Sequence, residues 1–195
     1  MFGSRRIDDR AWRRREVLGG APGFSLWELL WVVAIAGGII VWGAPGFGDF
    51  LLDARRTTDI NAFVLAVQLA RSEAAKRGRT VILCQSNDQR RCGANNAGFD
   101  SGWMVFADLD ENAAPQRSEV DEILFFHEPQ STGPIRANRR FFAFRPFGWR
   151  STNGTITFCD RRGSAHARAV IVSYTGRPRA SDTGPGGLAL RCGDT

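Results

Sequence analysis

Two arginines that flank a proline, Arg177 and Arg179, have the side chains and spacing to hold an anion. They lie in residues 175–187, a stretch rich in glycine, proline and serine that predicts a loop. An arginine stays ionised, and its planar guanidinium can bind two phosphate oxygens at once. Because Pro178 limits the freedom that the loop would lose on binding, this pattern favours contact with a phosphate-bearing partner.

The charge along the chain is consistent with the same chemistry. The 195 residues carry a formal net charge of +6, to which residues 1–23 contribute +3, residues 24–135 contribute −5 and residues 136–195 contribute +8. A basic C-terminal third favours an anionic partner, although an arginine-rich solvated surface is the alternative. Further arginines could extend the patch if the fold brings them to the same side, among them Arg150, Arg161 and Arg162.

The sequence argues against an enzyme. Its two histidines, His127 and His166, are far apart, and it contains no G-x-S-x-G, H-E-x-x-H or phosphate-binding glycine loop. Residues 108–112 space their carboxylates like a calcium loop, but lack the glycine and the closing glutamate of an EF-hand. We therefore expect no catalytic residue, no cofactor and no metal site, and interpret residues 108–112 as a turn on a solvated face.

A long apolar segment follows a basic leader. Between Phe24 and Phe47 the one charged residue is Glu28. As a helix this segment would be about 36 Å long, which is enough to cross a bilayer, and the basic leader would stay cytoplasmic. A carboxylate inside such a span costs about 2.5–3.5 kcal/mol on insertion scales, so Glu28 is expected to have a partner unless it lies at the interface.

The start of this segment resembles a known processing signal. Residues 23–28 read Gly-Phe-Ser-Leu-Trp-Glu, which is similar to the class III signal of type IV pilins and type II secretion pseudopilins. The resemblance implies that prepilin peptidase cleaves after Gly23 and methylates the new N-terminal residue, Phe24. It also implies that Glu28 pairs with the terminal amine of a neighbouring pilin, and that an inner-membrane assembly platform is a further partner.

The four cysteines are expected to form disulfides. None belongs to a C-x-x-C pair, which argues against zinc and thioredoxin-like chemistry, and an even number in an exported chain favours two bridges. Among the three possible pairings we favour Cys84–Cys92, which would close a short polar loop, and Cys159–Cys192, which would tie two late strands. Four free buried thiols are the alternative.

The remaining pattern predicts an α+β fold. Apolar residues repeat every three and four positions in residues 48–79, which indicates an amphipathic helix ending at Gly78. Beyond residue 79, short apolar runs alternate with turn residues. The predicted strands are Thr80–Cys84, Gly102–Asp108, Glu122–Glu128, Arg140–Arg145, Thr155–Cys159, Ala169–Tyr174 and Leu188–Cys192.

We therefore expect four parts in chain order. They are a leader, 1–23; a transmembrane and filament-core helix, 24–47; an amphipathic helix that continues into the globular domain, 48–79; and a C-terminal β domain, 80–195. The long helix would pack on a small antiparallel sheet or sandwich.

Four blocks in the C-terminal part resemble, in order, the GspH/FimT family of minor pilins. They are residues 102–110, 121–124, 144–148 and 172–179. The resemblance implies a long N-terminal helix and a C-terminal domain of two antiparallel sheets. Residues 176–179, Gly176-Arg177-Pro178-Arg179, match the G-R-x-R motif of FimT-like members, which implies that this loop binds DNA during natural transformation.

Two functions follow from the resemblance. The first is a minor type IV pilin that binds extracellular DNA without sequence preference, through the phosphate backbone. The second is a GspH- or FimU-like subunit that helps to initiate or cap a type II secretion pseudopilus or a pilus, without binding DNA. Both place the chain in the inner membrane by a single span, with a periplasmic C-terminal domain, and then in a filament with major and minor pilins.

Overall fold

The computed structural model describes residues 23–93, 98–111, 117–130, 133–146 and 150–193, except the side chains of residues 42–46. The chain divides into two compact units, Met1–Pro45 and Gly46–Thr195. The expected leader, apart from Gly23, lies outside the described residues.

Helix α1 spans Leu26–Arg77 and begins with a capping box. The backbone N–H of Ser25 donates to Glu28 Oε2 at 3.0 Å, and the N–H of Glu28 donates to Ser25 Oγ at 3.2 Å. In residues 24–41 the side chains are exposed, and Phe24 reaches 88%. The first unit therefore presents an unburied apolar helical surface.

Within the described residues, no helix combines the length and the apolar character that crossing a membrane requires.

In the second unit, α1 buries the face that the sequence repeat predicted. Gly78 ends the helix in the left-handed region, with φ of +64°, and its N–H donates to Ala74 O at 3.1 Å, as expected of a C-terminal glycine. The buried helical residues of this face include Ile60, Phe63, Ala66, Val67, Ala70 and Ala74.

Two four-stranded antiparallel sheets are found within the described residues. The first sheet has the order β3-β2-β1-β5 and the second has the order β4-β6-β7-β8. The strands are β1 Val81–Gln85, β2 Trp103–Ala107, β3 Glu122–His127, β4 Ile135–Ala137, β5 Phe141–Phe144, β6 Gly154–Phe158, β7 Arg168–Val172 and β8 Pro178–Ser181. Short 3₁₀ helices cover Phe99–Ser101, Ser164–His166 and Pro185–Gly187.

One apolar core joins the helix to both sheets. Phe63 of α1 is fully buried in it, and its ring makes edge-on contacts with four other aromatic rings at centroid distances of 5.7–6.2 Å. Those rings belong to Phe99, Trp103, Phe142 and Phe158. Because the core contains residues of α1 and of both sheets, the α+β architecture with a helix on two antiparallel sheets is confirmed.

The predicted strand Leu188–Cys192 is wrong. Its alternating leucines imitate a strand, but no ladder is assigned to it, and its last residue is instead tied by a disulfide to Cys159.

Conversely, β4 and β8 were not predicted. The Pro, Arg and Ser of β8 have little intrinsic preference for a strand, yet an edge position beside β7 tolerates a proline at its first residue.

Both disulfides are those favoured from the sequence. Cys84–Cys92 closes the loop after β1, with a Cα–Cα distance of 5.6 Å. Cys159–Cys192 has a Cα–Cα distance of 5.8 Å and holds the C-terminal segment to the end of β6. The second bridge therefore ties one strand to a non-strand segment, rather than two strands.

Candidate nucleic-acid interface

Arg177 ends a short hairpin turn, residues 173–177, between β7 and β8, and Arg179 lies on β8 itself. The N–H of Gly176 donates to Ser173 O at 2.9 Å, and the N–H of Ser173 donates to Arg177 O at 3.1 Å. The N–H of Arg177 also donates to Ser173 Oγ at 3.2 Å. These bonds fix the backbone of the turn without using an arginine side chain.

Gly176 is required by both conformation and space. Its φ is +70°, which is costly for a residue with a side chain. A Cβ at this position would lie 3.1 Å from Phe144 Cδ1 and 3.3 Å from Arg71 Cδ. The turn therefore sits directly against the end of β5 and against helix α1.

Arg177 and Arg179 are exposed, and neither has a salt bridge to a carboxylate among the described residues. Arg179 lies on β8 opposite Ile171, and Pro178 is half-buried at the start of that strand. The predicted loop 175–187 is thus wrong in its first part, which is a turn followed by an edge strand. The backbones of the two arginines are therefore constrained, that of Arg177 by the turn and that of Arg179 by pairing with β7.

Arg150 packs against Tyr174 of the turn, so it extends the basic patch as the sequence suggested. Its guanidinium carbon lies 4.2 Å from the centroid of the Tyr174 ring, within the range of a cation–π contact. The N–H of Ser151 donates to Tyr174 O at 3.0 Å, which holds the two segments together. The exposed Arg150 side chain therefore belongs to the same surface as the G-R-x-R motif.

Two further arginines of this surface were missed from the sequence. Arg145 Nη1 donates to Arg150 O at 2.8 Å, and Arg71 places its side chain against Gly176. Both are exposed. Arg71 comes from a helix about a hundred residues earlier in the chain, so no local pattern could have indicated it. We call the resulting set the basic turn surface: Arg71, Arg145, Arg150, Arg177 and Arg179.

Arg162 is occupied by other contacts. Arg162 Nη2 lies 2.6 Å from Asp53 Oδ1 and 2.7 Å from Asp160 Oδ2. Hydrogen bonds from Arg162 lower the pKa of Asp160 below its ordinary range and raise the pKa of Arg162 itself. Arg161 Nη2 lies 3.7 Å from where a Cβ of Gly48 would be. Arg162 is thus held in the fold by ion pairs with Asp53 and Asp160. Arg161 is exposed, and its place in a DNA-binding surface stays a prediction.

The expected processing residues lie at the start of α1. Gly23 and Phe24 precede the helix and are exposed. Glu28 uses its carboxylate to cap the first turn through Ser25. Its pairing with a neighbouring subunit stays a prediction. The terminal amine of a second chain would have to displace the Ser25 N–H from the Glu28 carboxylate.

The basic turn surface can bind phosphate groups through guanidinium hydrogen bonds and charge. Its contacts would be to the backbone of a nucleic acid, which carries a phosphate at every nucleotide. The half-exposed ring of Tyr174 adds an apolar face beside the arginines.

Comparisons with known proteins concern the family and the fold. A family model described as "Type II transport protein GspH" matches residues 59–176, so the match ends one residue before Arg177. A crystal structure of the type IV minor pilin FimU of Pseudomonas aeruginosa aligns at 19% identity, with a TM-score of 0.50, over 74% of this chain and 97% of FimU. A second FimU crystal structure gives 19% identity, a TM-score of 0.49, and coverage of 70% and 97%. No curated protein sequence matches the chain.

Proposed function

This chain belongs to the GspH family of minor pilins and pseudopilins, and from that premise we propose that it is a minor type IV pilin that binds extracellular DNA through the basic turn surface during natural transformation. The observation that carries the proposal is the exposure of Arg177, on a turn whose own backbone bonds hold it in place, and of Arg179, on the adjoining edge strand β8.

Preorganisation supports the proposal. Binding costs free energy when mobile side chains and loops become ordered, and a fixed turn reduces that cost. Gly176 is packed against Phe144 and Arg71, and Pro178 fixes the backbone between the two arginines. The surface thus needs little rearrangement to meet a phosphate backbone.

The free charge of the surface also supports it. An arginine already paired with a carboxylate would have to exchange one partner for another, whereas Arg177 and Arg179 have no ion pair among the residues described. Backbone contacts of this kind carry no direct sequence information, so the expected binding is non-specific and strongly dependent on salt.

Substitution of both motif arginines tests the proposal. We expect Arg177→Ala/Arg179→Ala to weaken binding to labelled duplex DNA by about tenfold or more at low salt, because charged hydrogen bonds to phosphate are lost. The unit Gly46–Thr195 is suitable for this titration, since it contains the core and both disulfides and should fold alone.

The matched control is Arg90→Ala/Arg91→Ala, which removes the same charge. These arginines are exposed in the loop after β1, at the end of that strand away from Val81 and its partner Phe144. Wild-type affinity in the control, together with weak binding in the motif variant, supports the proposal. Equal binding by the wild type and the motif variant would contradict it.

The alternative function is a minor subunit that helps to initiate or cap a pilus or secretion pseudopilus without binding DNA. Its specific support is that the matching family model is that of a type II transport protein, GspH. An unchanged DNA affinity in the motif variant would favour this alternative.

Assembly into a filament completes the proposal. Prepilin peptidase would cleave after Gly23 and methylate Phe24, and residues 24–47 would hold the chain in the inner membrane before assembly with other pilins. The exposed apolar side chains of residues 24–41 support this, because unburied apolar surface of this extent needs a lipid or protein partner. Glu28 would then exchange its capping bond for the terminal amine of a neighbour.

Processing gives a second test. We expect Gly23→Ala to accumulate as the full-length precursor in cells that contain a prepilin peptidase, because cleavage requires this glycine in the proposed signal. The intact mass of the wild-type chain should correspond to loss of residues 1–23 and addition of one methyl group. Gly20→Ala, within the leader, should mature normally, and normal maturation of Gly23→Ala would refute the signal.

A further inference from the structure

Three carboxylates converge where β2 meets β3, at a point remote in sequence from the basic turn surface. Asp108 and Asp110 follow β2, and Asp121 immediately precedes β3. One carboxylate oxygen from each lies within 4.8 Å of the others. The sequence indicated a solvated turn over residues 108–112, because the spacing did not reveal that Asp121 folds back onto it.

Two of the three carboxylates are buried, which a solvated turn would not show. Asp108 is 4% exposed and Asp121 is 3% exposed. Asp108 Oδ1 is buried and accepts no hydrogen bond within the described structure. A buried carboxylate oxygen normally has a partner, since its desolvation otherwise costs free energy. The Asp108 carboxylate is hydrogen-bonded to the Glu111 backbone, and its Oδ1 is left as a buried acceptor that a ligand can use.

Asp121 is oriented towards the same point by the backbone. Its Oδ1 accepts a hydrogen bond from Leu109 N at 2.8 Å, and its Oδ2 accepts one from Ser118 N at 2.7 Å. A carboxylate oxygen has further lone pairs after one such bond, so both can still bind a cation. The two bonds hold the backbone of Leu109 and of Ser118 against Asp121.

The two buried carboxylates, those of Asp108 and Asp121, are not ion-paired within the described residues. Arg117 lies nearby, but it donates to the main-chain oxygens of Arg90 and Asp121. Residues 112–116 read Asn-Ala-Ala-Pro-Gln and contain no basic side chain. Burial, followed by the neighbouring carboxylates, raises the pKa of Asp108.

We propose that Asp108, Asp110 and Asp121 form a calcium-binding site. Carboxylate oxygens are the ligands that Ca²⁺ prefers, and the absence of thiolate or imidazole from the three argues against zinc. Calcium–oxygen distances are about 2.3–2.6 Å, so three oxygens that lie within 4.8 Å of one another can share one calcium ion. Magnesium is expected to bind less well, because it demands near-octahedral geometry and gives up its water reluctantly.

Main-chain oxygens and water would complete the coordination, as in other calcium sites. The ion would neutralise three close carboxylates and join the end of β2 to the start of β3. Its binding would therefore stabilise the folded state of the second unit, because the unfolded chain does not hold the three residues together.

Calcium titration of Gly46–Thr195, after removal of metals with a chelator, tests the site. By calorimetry we expect a dissociation constant of about 10⁻⁴–10⁻³ M, which is typical of extracellular modules. The melting temperature should rise by about 2–5 °C at a tenfold excess over that constant. Asp108→Asn, which preserves the shape of the side chain, should weaken calcium binding at least tenfold, and Mg²⁺ should bind the wild type more weakly than Ca²⁺.

Glu119→Gln is the matched control, because it removes one exposed carboxylate from the same connection. It should bind calcium like the wild type. If Asp108→Asn fails to fold by circular dichroism, the exposed Asp110→Asn replaces it, with the same expected loss. The absence of calcium binding to the wild type at about ten times the upper constant, or unchanged affinity in the folded aspartate variant, would overturn the proposal.

Discussion

Asp160→Ala is expected to lower the free energy of unfolding of Gly46–Thr195 by about 3–5 kcal/mol, because it leaves buried positive charge without its partner. The Asp160 carboxylate lies 2.9 Å from Arg56 Nη1 and 2.7 Å from Arg162 Nη2. The Asp160 and Arg56 side chains are 1% and 7% exposed. After the substitution, the half-exposed Asp53 is the carboxylate left in contact with both arginines. Urea denaturation followed by circular dichroism measures the change.

The control for this prediction is Asp182→Ala, which removes an exposed salt bridge to Arg168 and should cost at most about 1 kcal/mol. The pH dependence has a definite sign. The folded-state pKa of Asp160 is lowered from its ordinary value of 3.8, so its stabilising contribution is complete above that value and is lost as the pH falls through the lower folded value. The difference between wild type and Asp160→Ala should therefore persist from neutral pH to about pH 5 and shrink below pH 4. Equal stability of Asp160→Ala and Asp182→Ala at neutral pH would contradict the assignment.

This result bears directly on function. If Asp160 holds Arg162 and Arg56 in the fold, Arg162 has a structural role and is not part of the DNA-binding set. A change in DNA affinity on substitution of Arg162 would then have to be separated from a loss of folded protein.

Phe63→Ala should destabilise the same unit by about 3–5 kcal/mol, the usual cost of emptying a buried aromatic site. Phe63 is fully buried, and its ring contacts four other aromatic rings contributed by four different segments. A methyl group in its place would leave a cavity that these rings cannot close without moving both sheets. Thermal or urea unfolding followed by near-ultraviolet circular dichroism would report the loss.

Leu65→Ala, on the same helix, is the control for Phe63→Ala. Leu65 is 54% exposed, so its substitution should change the stability by about 0.5 kcal/mol or less. A small effect at Phe63 and a comparable effect at Leu65 would mean that the helix is not anchored through this aromatic cluster.

The sequence predicted those parts of the fold that depend on neighbouring residues. The repeat of apolar positions located the buried face of α1, and Gly78 located its end, because both reflect backbone geometry over a few residues. The prediction failed for β8, whose stability comes from pairing with β7 and not from its own composition. It failed for residues 188–192 for the opposite reason, since an alternating pattern without a neighbouring strand does not form a ladder.

The candidate site shows the same limit. Arg177 and Arg179 were found because their spacing is local, but the contribution of Arg71 depends on the packing of a distant helix against Gly176. Arg162 has the same charge, yet its proximity to Asp53 and Asp160 gives it a different role. The distribution of charge along the sequence thus predicts that a basic surface forms. Which arginines belong to that surface depends on tertiary contacts.

The salt dependence of DNA binding tests the central claim most directly. Each phosphate contact on duplex DNA contributes about 0.9 to the slope of log affinity against log salt concentration, through the release of counterions. The wild-type unit Gly46–Thr195 should show a steep negative slope, and Arg177→Ala/Arg179→Ala should reduce its magnitude by about two. The Arg90→Ala/Arg91→Ala control should keep the wild-type slope. A motif variant with the same affinity and the same slope as the wild type would contradict DNA binding by the basic turn surface and leave a subunit of filament assembly.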